Sequence, residues 1–187
     1  CSSGTCSSGN NVAVDTNSAV GQGCTYCNLS VATDDSNNPA FAYGGGLEGD
    51  SIYFVTCATS NCSSATTTPS GIIGSDISKV IIGANGPIVS YISSRGKLGI
   101  FFCDGPGCSS GSSLILDSRG NTKSKVNAVI GDAGFPIILY KNDFTGSEDS
   151  RSDTLNIFVC NSEDCSSGQK FVLVAEDAAH TPSSISI

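Results

Sequence analysis

The stretch that decides the fold is "KVIIGANGPIVSYISSRGKLGIFFCDGPGCSSG", residues 79–111. It ends in two cysteines separated by four residues and followed by Ser-Ser-Gly. The same Cys-x4-Cys-Ser-Ser-Gly/Ala pattern stands at 1–9, 57–65 and 160–168. Four copies of so narrow a pattern indicate a repeat protein.

Each full repeat contains four short apolar segments, named A to D in chain order. In the quoted repeat they are "KVIIG", "PIVSY", "LGIFF" and, beyond the cysteines, "LILDS". Gly, Pro, Asn and Asp separate the segments, which predicts strands joined by turns, and no stretch has a helical period. Segment B begins with proline and ends in tyrosine, at Pro39/Tyr43, Pro87/Tyr91 and Pro136/Tyr140. The Cys-x4-Cys loop joins C to D as an antiparallel hairpin.

Segments A, B and C are almost continuously apolar, which is typical of strands covered on both faces. Segment D is more polar and in one repeat contains Pro69, which suits an outer edge. We expect an all-β fold, a small three- to four-bladed β-propeller-like ring of four-stranded antiparallel blades with disulfide-clamped hairpins. Segment A should line the centre with Val80, Ile81, Ile82 and Val129. Between neighbouring sheets we expect Phe101, Phe102, Ile157 and Phe158.

These repeats resemble the β-propeller-like repeats of large secreted and surface proteins of prokaryotes. There, an IxxGxxGxPxxxY hairpin precedes an apolar strand that ends in Cys-x4-Cys-Ser-Ser. The repeat at 79–111 matches best, the next has a longer B–C connection at 141–154, and the first lacks the glycines at 31–39. The resemblance covers nearly the whole chain. It implies an extracellular structural or binding role and supplies no catalytic residue.

The repeats predict one domain, 1–187. It divides into an N-terminal segment 1–23, repeats at 24–76, 77–122 and 123–177, and a C-terminal strand at 178–187. The two terminal segments look like strands D and A of a fourth blade whose strands B and C are missing. Either the chain is a fragment of a longer array, or a neighbouring chain completes the sheet. The predicted inter-subunit strand is one of two segments, namely Ser183, Ser184, Ile185, Ser186 and Ile187, or Val12, Ala13 and Val14.

All ten cysteines fall into close local pairs. The predicted disulfides are Cys1–Cys6, Cys24–Cys27, Cys57–Cys62, Cys103–Cys108 and Cys160–Cys165. Such a density indicates an oxidising compartment, and we expect an extracellular or cell-surface location. Two alternatives concern single positions. Cys24 and Cys27 have the spacing of a redox motif but precede a strand, and Cys1 could carry a lipid.

The chain is acidic, with a net charge of −8 and only nine Lys and Arg residues. A nucleic-acid or anionic-membrane surface is therefore not expected. No apolar run is long enough to span a bilayer. The sequence contains no Met, so we expect a processed product.

Other candidate sites are few. Asn28 and Asn61 stand in N-glycosylation sequons. The insertion at 141–154 is rich in acidic residues and is an alternative calcium site. Its acidic residues are Asp143, Glu148, Asp149 and Asp153. The single histidine, His180, has no nucleophile motif beside it, so we predict no enzyme activity and no catalytic residue, cofactor or metal.

Two functions follow from these patterns. The first is a structural subunit of an extracellular fibre or cell-surface assembly, a homopolymer in which terminal strands complete a neighbour's blade. The alternative is an extracellular binding module of the lectin or adhesin kind, with glycans as partners. The absence of Trp and an aromatic content of 7% favour the first.

Overall fold

The computed structural model describes residues 29–44, 51–93, 95–119, 122, 126–142 and 154–175. These residues form eleven strands and no helix. The strands are β1 Leu29–Thr33, β2 Pro39–Gly44, β3 Ser51–Cys57, β4 Ala65–Gly83, β5 Gly86–Ser93, β6 Leu98–Cys103, β7 Gly111–Asp117, β8 Asn127–Ile130, β9 Pro136–Asn142, β10 Thr154–Cys160 and β11 Gly168–Ala175.

The strands make three four-stranded antiparallel sheets, here called units 1, 2 and 3. Unit 1 is β1, β2, β3 and the first part of β4; unit 2 is the rest of β4 with β5, β6 and β7; unit 3 is β8 to β11. Strand β4 passes from unit 1, where Ile73 pairs with Ser51, to unit 2, where Gly74 pairs with Ser93. The repeat boundary predicted after residue 76 falls inside this strand. The predicted all-β class and the four-stranded antiparallel unit are confirmed.

Unit 2 lies between the other two sheets and is apolar on both faces. Successive strand residues point to opposite faces, and this alternation divides the side chains of unit 2 between two cores. The core shared with unit 1 contains Val80, Val89, Tyr91 and Phe101. The core shared with unit 3 contains Ile81, Ile88, Ile92, Leu98 and Ile100. The continuous apolar runs are therefore explained by coverage on both sides.

The first strand of each unit lies toward a common centre. Strand β1 lies against β4, and β4 lies against β8. The Val80 backbone N–H donates a hydrogen bond of 2.9 Å to the Ser30 hydroxyl. A groove of about 530 Å³ runs along these three strands, and Val80, Ile81, Ile82 and Val129 are among its lining residues. Three sheets packed face to face around their first strands give a propeller-like arrangement.

The aromatic residues predicted between the sheets differ in burial. Phe101 is buried in the core of units 1 and 2. Phe102 and Phe158 are only half-buried and pack against the core of units 2 and 3. Ile157 is in neither core, because it alternates with Phe158 and lies on the face of unit 3 that is turned away from unit 2.

Candidate functional site

The three described Cys-x4-Cys loops share one backbone conformation. The second cysteine of each has a left-handed φ, 55° at Cys62, 47° at Cys108 and 49° at Cys165. The Ser-Ser pair that follows closes the hairpin. The carbonyl of its second serine accepts a hydrogen bond of 2.8–2.9 Å from the backbone N–H of the residue after the first cysteine. All three pairs are disulfide-bonded, with Cα–Cα distances of 4.7–4.9 Å. Cys1, Cys6, Cys24 and Cys27 lie outside the described residues.

Side chains reinforce two of these loops. The Ser162 hydroxyl donates to the Asp164 carboxylate at 2.7 Å, as the Thr59 hydroxyl does to the Asn61 side chain at 2.8 Å. The hydrogen bonds that Asp164 receives from Ser162 and Ser166 lower its pKa to about 2. The middle loop has Gly105 and Gly107 at the corresponding positions, so it lacks this support.

The residue after Ser-Ser is matched to the size of a cross-strand neighbour. A Cβ at Gly111 would overlap the Phe101 ring, and one at Gly168 would overlap the Phe158 ring. In unit 1 the residue after Ser-Ser is Ala65. The position that these phenylalanines have in units 2 and 3 is occupied in unit 1 by the smaller Val55. The glycine of the motif is therefore required where an aromatic ring covers the end of the hairpin.

The interface between units 1 and 2 is largely apolar. The rings of Phe54 and Phe101 stack with centroids 4.7 Å apart and planes inclined by 19°. At the end where the cysteine loops lie, the Thr56 hydroxyl donates to the Gly107 carbonyl at 3.1 Å. This bond fixes the middle loop against unit 1, and a cavity of only about 40 Å³ remains beside Thr56.

The interface between units 2 and 3 has a buried polar network centred on Asp117. One carboxylate oxygen, Oδ2, accepts hydrogen bonds from the Tyr140 hydroxyl at 2.8 Å, from Asn142 Nδ2 at 3.1 Å and from Lys170 Nζ at 2.6 Å. The other, Oδ1, accepts from the Arg119 backbone N–H at 3.1 Å. Asp117 is 6% exposed and Lys170 20%, so this ion pair is shielded from water and ties the two sheets together.

The network shifts the pKa of two groups in opposite directions. Burial disfavours the ionised form of Asp117, but the hydrogen bonds from Lys170, Arg119 and Tyr140 outweigh it and lower its pKa. Burial, followed by the hydrogen bond to Asp117, raises the pKa of Tyr140. Near neutral pH Asp117 is therefore ionised and Tyr140 protonated. Lys170 Nζ also lies 5.5 Å from the Tyr140 ring centroid, within cation–π range.

At the cysteine-loop end, units 2 and 3 leave a cleft of about 970 Å³. Its inner wall is apolar and contains Ile88, Phe102 and Phe135. Its rim carries polar side chains from both units, namely Asn85, Asp104, Ser112, Asn161, Ser162, Glu163 and Asp164. The cleft is bridged by one hydrogen bond of 2.7 Å, from Asn85 Nδ2 to Glu163 Oε2. None of the described residues lining it is basic.

The large apolar side chains that the described residues leave exposed lie on strands at sheet edges. They are Leu29 and Val31 on β1, Leu114 and Ile115 on β7, and Phe171, Val172 and Leu173 on β11. Strand D was predicted to be the polar outer strand. Its outer position is confirmed by β7 and β11, but both strands retain exposed apolar residues.

The other predicted sites fall partly within the described residues. Asn61 is exposed at the tip of the first cysteine loop, and its glycosylation stays a prediction. Asn28, both candidate inter-subunit segments, His180 and the acidic residues of the insertion lie outside the described residues. Within the described ranges, no three His, Cys, Asp or Glu side chains are grouped to hold a metal, and no helix could cross a membrane.

The sequence patterns did not reveal the Asp117 network or the cleft. The repeated tyrosine of segment B was a visible signal, and Tyr140 is its third copy. Nothing in the sequence paired Tyr140 with Asp117, which lies 23 residues earlier and in another sheet. Phe102, which lines the cleft, is the counterpart of Thr56, and the effect of this difference is visible only in the packing.

Comparison with solved structures finds the crystal structure of a thermostable family-43 glycoside hydrolase. The TM-score is 0.48 at 13% sequence identity, over 82% of this chain and 57% of that chain. This chain thus matches little more than half of that enzyme's length, and at this identity the likeness does not extend to the reaction. No protein-family model and no curated protein matches the chain.

Proposed function

We propose that this chain is the structural subunit of an extracellular fibre or cell-surface assembly. Subunits join head to tail without covalent links, and one terminal segment, Ser183–Ile187 or the strand around 12–14, pairs with a sheet of the adjacent subunit. Because the surfaces joined differ, such contacts generate an open filament rather than a closed oligomer.

The observation that carries this proposal is the concentration of exposed apolar side chains on edge strands. On β1, Leu29 is 69% and Val31 53% exposed; on β11, Phe171 is 44%, Val172 54% and Leu173 52% exposed. An edge strand presents main-chain donors and acceptors to an incoming strand. Burial of Ile185 and Ile187 on such an edge would contribute about 1.5–3 kcal/mol each.

The disulfides and the low charge support the same role. Three of the predicted disulfides are present in the structure, which indicates an oxidising environment, and we place the protein outside the cell. Charged residues make up only 14% of the sequence, so repulsion between subunits is modest despite the net negative charge. The assembly needs no catalytic activity. A second role, as a binding module, is favoured by the cleft between units 2 and 3.

The test is polymerisation of the full chain, followed by light scattering after size exclusion and by negative-stain microscopy. We expect linear polymers from the full chain and monomers after deletion of Ser183–Ile187 or of residues 1–15. If Ser183–Ile187 is the pairing segment, Ile185→Ser with Ile187→Ser keeps the length and should also prevent polymerisation, whereas Ser184→Thr is the matched control.

Edge variants identify the receiving strand. Val31→Lys on β1 or Leu173→Lys on β11 should block polymerisation, depending on which edge accepts the neighbour's strand. Ser60→Lys, exposed in the first cysteine loop and outside the strands, is the control that should have no effect. A full chain that stays monomeric at high concentration would contradict the proposal.

A further inference from the structure

We propose that the cleft between units 2 and 3 is a binding site for a neutral saccharide. This inference does not depend on polymerisation, because the cleft is built from described residues of a single chain. It assigns a ligand class to a surface that the assembly role leaves unused.

The cleft coincides with a difference in one strand residue between the two interfaces. Phe102 on β6 occupies the place that Thr56 has on β3, each directly before the first cysteine of its loop. Thr56 holds the neighbouring loop through its bond to the Gly107 carbonyl. Phe102 has no hydroxyl and a larger side chain, so the loop of unit 3 stands away from unit 2. The cavity is accordingly about 970 Å³ here and about 40 Å³ at the other interface.

The walls of the cleft are fixed before any ligand binds. Gly86, at φ 138°, packs so closely on the Gly105 carbonyl that a Cβ there would lie 2.5 Å from it. The β4–β5 turn and the middle cysteine loop therefore form one wall. The opposite wall is the loop of unit 3, which is closed by its disulfide and by the Ser162–Asp164 hydrogen bond. A preformed site loses little conformational entropy on binding.

The lining suits a sugar ring. Phe102 and Phe135 are half-buried, so each ring keeps an accessible part for the apolar C–H face of a pyranose. Around them stand amides, hydroxyls and carboxylates, which are the acceptors and donors that sugar hydroxyls use. An apolar wall with a few polar groups, in a volume of roughly 300–1,000 Å³, is typical of small-molecule sites. Two phenylalanines thus supply the aromatic surface that a chain without Trp otherwise lacks.

Other ligand classes fit less well. Asp104, Glu163 and Asp164 make the rim negative and no described lining residue is basic, which disfavours phosphates and other anions. Two of these carboxylates already have protein partners, Glu163 with Asn85 and Asp164 with Ser162 and Ser166. No metal-ligand group is found among the described residues. A cationic peptide remains as the competing ligand that the experiment must separate.

The experiment is isothermal titration of the full-length protein with neutral hexasaccharides of glucose, xylose, mannose and N-acetylglucosamine, and with hexalysine. We expect at least one hexasaccharide to bind. Phe102→Thr, which recreates the residue of the closed interface, should weaken binding by about tenfold or more, as loss of a central aromatic anchor does. Phe41→Thr makes the same change at a half-buried ring on β2, outside the cleft, and should leave affinity unchanged.

Two further variants keep the proposal open to refutation if Phe102→Thr does not fold. Ser112→Arg places a long side chain on the exposed rim and should abolish saccharide binding. Glu163→Gln keeps an oxygen acceptor for Asn85 and should change saccharide affinity by less than about threefold, whereas a cationic ligand would lose much more. No binding to any hexasaccharide, binding of hexalysine alone, or unchanged binding by Ser112→Arg would overturn the proposal. A full chain that binds sugar but stays monomeric would contradict the fibre role alone.

Discussion

Between units 1 and 2, Phe54 stacks on Phe101, and Thr56 closes the end of the interface. Between units 2 and 3, the interface instead contains a buried ion pair, Asp117 with Lys170, and it ends in an open cleft beside Phe102. Both interfaces are built from the same strands of the same repeat. The repeat therefore fixes how sheets stack, while the side chains that differ between repeats decide whether an interface is apolar, polar or open.

The tyrosine at the end of segment B also has different surroundings in units 2 and 3. Tyr91 is buried and lies over Gly99 of its own sheet. Tyr140 pairs across the strand with Asn156, and its hydroxyl bonds to Asp117 of the neighbouring sheet. Asn156 is fully buried, and its Oδ1 has no hydrogen-bond partner. The polar interface thus carries a desolvation cost that the apolar one avoids.

The largest effect is expected at the apolar interface. Phe101→Ala removes a buried ring that packs on Phe54 and covers Gly111, and should lower the free energy of unfolding by about 3–5 kcal/mol. Phe102→Ala, on the adjacent residue and opposite face, removes a half-buried ring and should cost only about 1–2 kcal/mol. Urea denaturation of both variants measures the difference. Equal losses would mean that the two interfaces do not differ in packing.

An intermediate effect is expected from Asp117→Asn at the polar interface. The neutral amide weakens the bond from Lys170 and supplies one acceptor oxygen for several donors, so we expect a loss of about 1–3 kcal/mol near neutral pH. Leu155→Met, a volume-conserving change on the same unit, is the stability control.

The same variant tests the pH dependence. Because folding lowers the pKa of Asp117, its contribution is fully present above the unfolded value of about 3.9 and is lost as pH falls through the folded value. Asp117→Asn should therefore lose less stability than the parent protein between pH 5 and about pH 2. Asp34 and Asp164 also have lowered pKa values, so part of the acid sensitivity should remain. Identical acid profiles would contradict the ion pair.

The smallest effect is expected from Thr56→Val, which keeps the shape and removes the hydroxyl. Loss of the bond to the Gly107 carbonyl should cost about 0.5–1.5 kcal/mol. It should also loosen the middle cysteine loop, which hydrogen exchange at the Cys108 amide would report. Thr67→Val, exposed on β4, controls for the substitution itself. A Cys108 amide that exchanges as slowly as in the parent protein would show that Thr56 does not hold the loop.

Much of the fold could be predicted because its signals are local or periodic. Proline at the start of segment B, glycine at the turns and the paired cysteines each fix a neighbouring piece of backbone, and these pieces agreed with the observed strands. The alternation that divides Val80 from Ile81 also follows from strand geometry. What could not be predicted was β4 as one strand shared by two sheets, because Gly74, Ser75 and Asp76 at its passage from unit 1 to unit 2 favour a turn rather than a continuous strand.

The candidate sites were harder to predict because they arise between sheets. Asp117 and Lys170 are 53 residues apart, and nothing in either segment identifies the other. Phe102 lines the cleft where unit 1 has the smaller Thr56, and the consequence of that difference appears only when the next sheet is in place. Substitutions within a repeat can be read from the sequence, but their partners in the adjacent repeat cannot.

Each described disulfide joins cysteines five residues apart. This short spacing affects how the protein responds to proteolysis. Exposed loop tips are the sites at which folded proteins are usually cut, and the residues between the paired cysteines form such tips. A cut there leaves both ends held by the disulfide and by the strands on either side. The protein can thus be nicked at three points without releasing a fragment, and reduction would be needed before the pieces could separate.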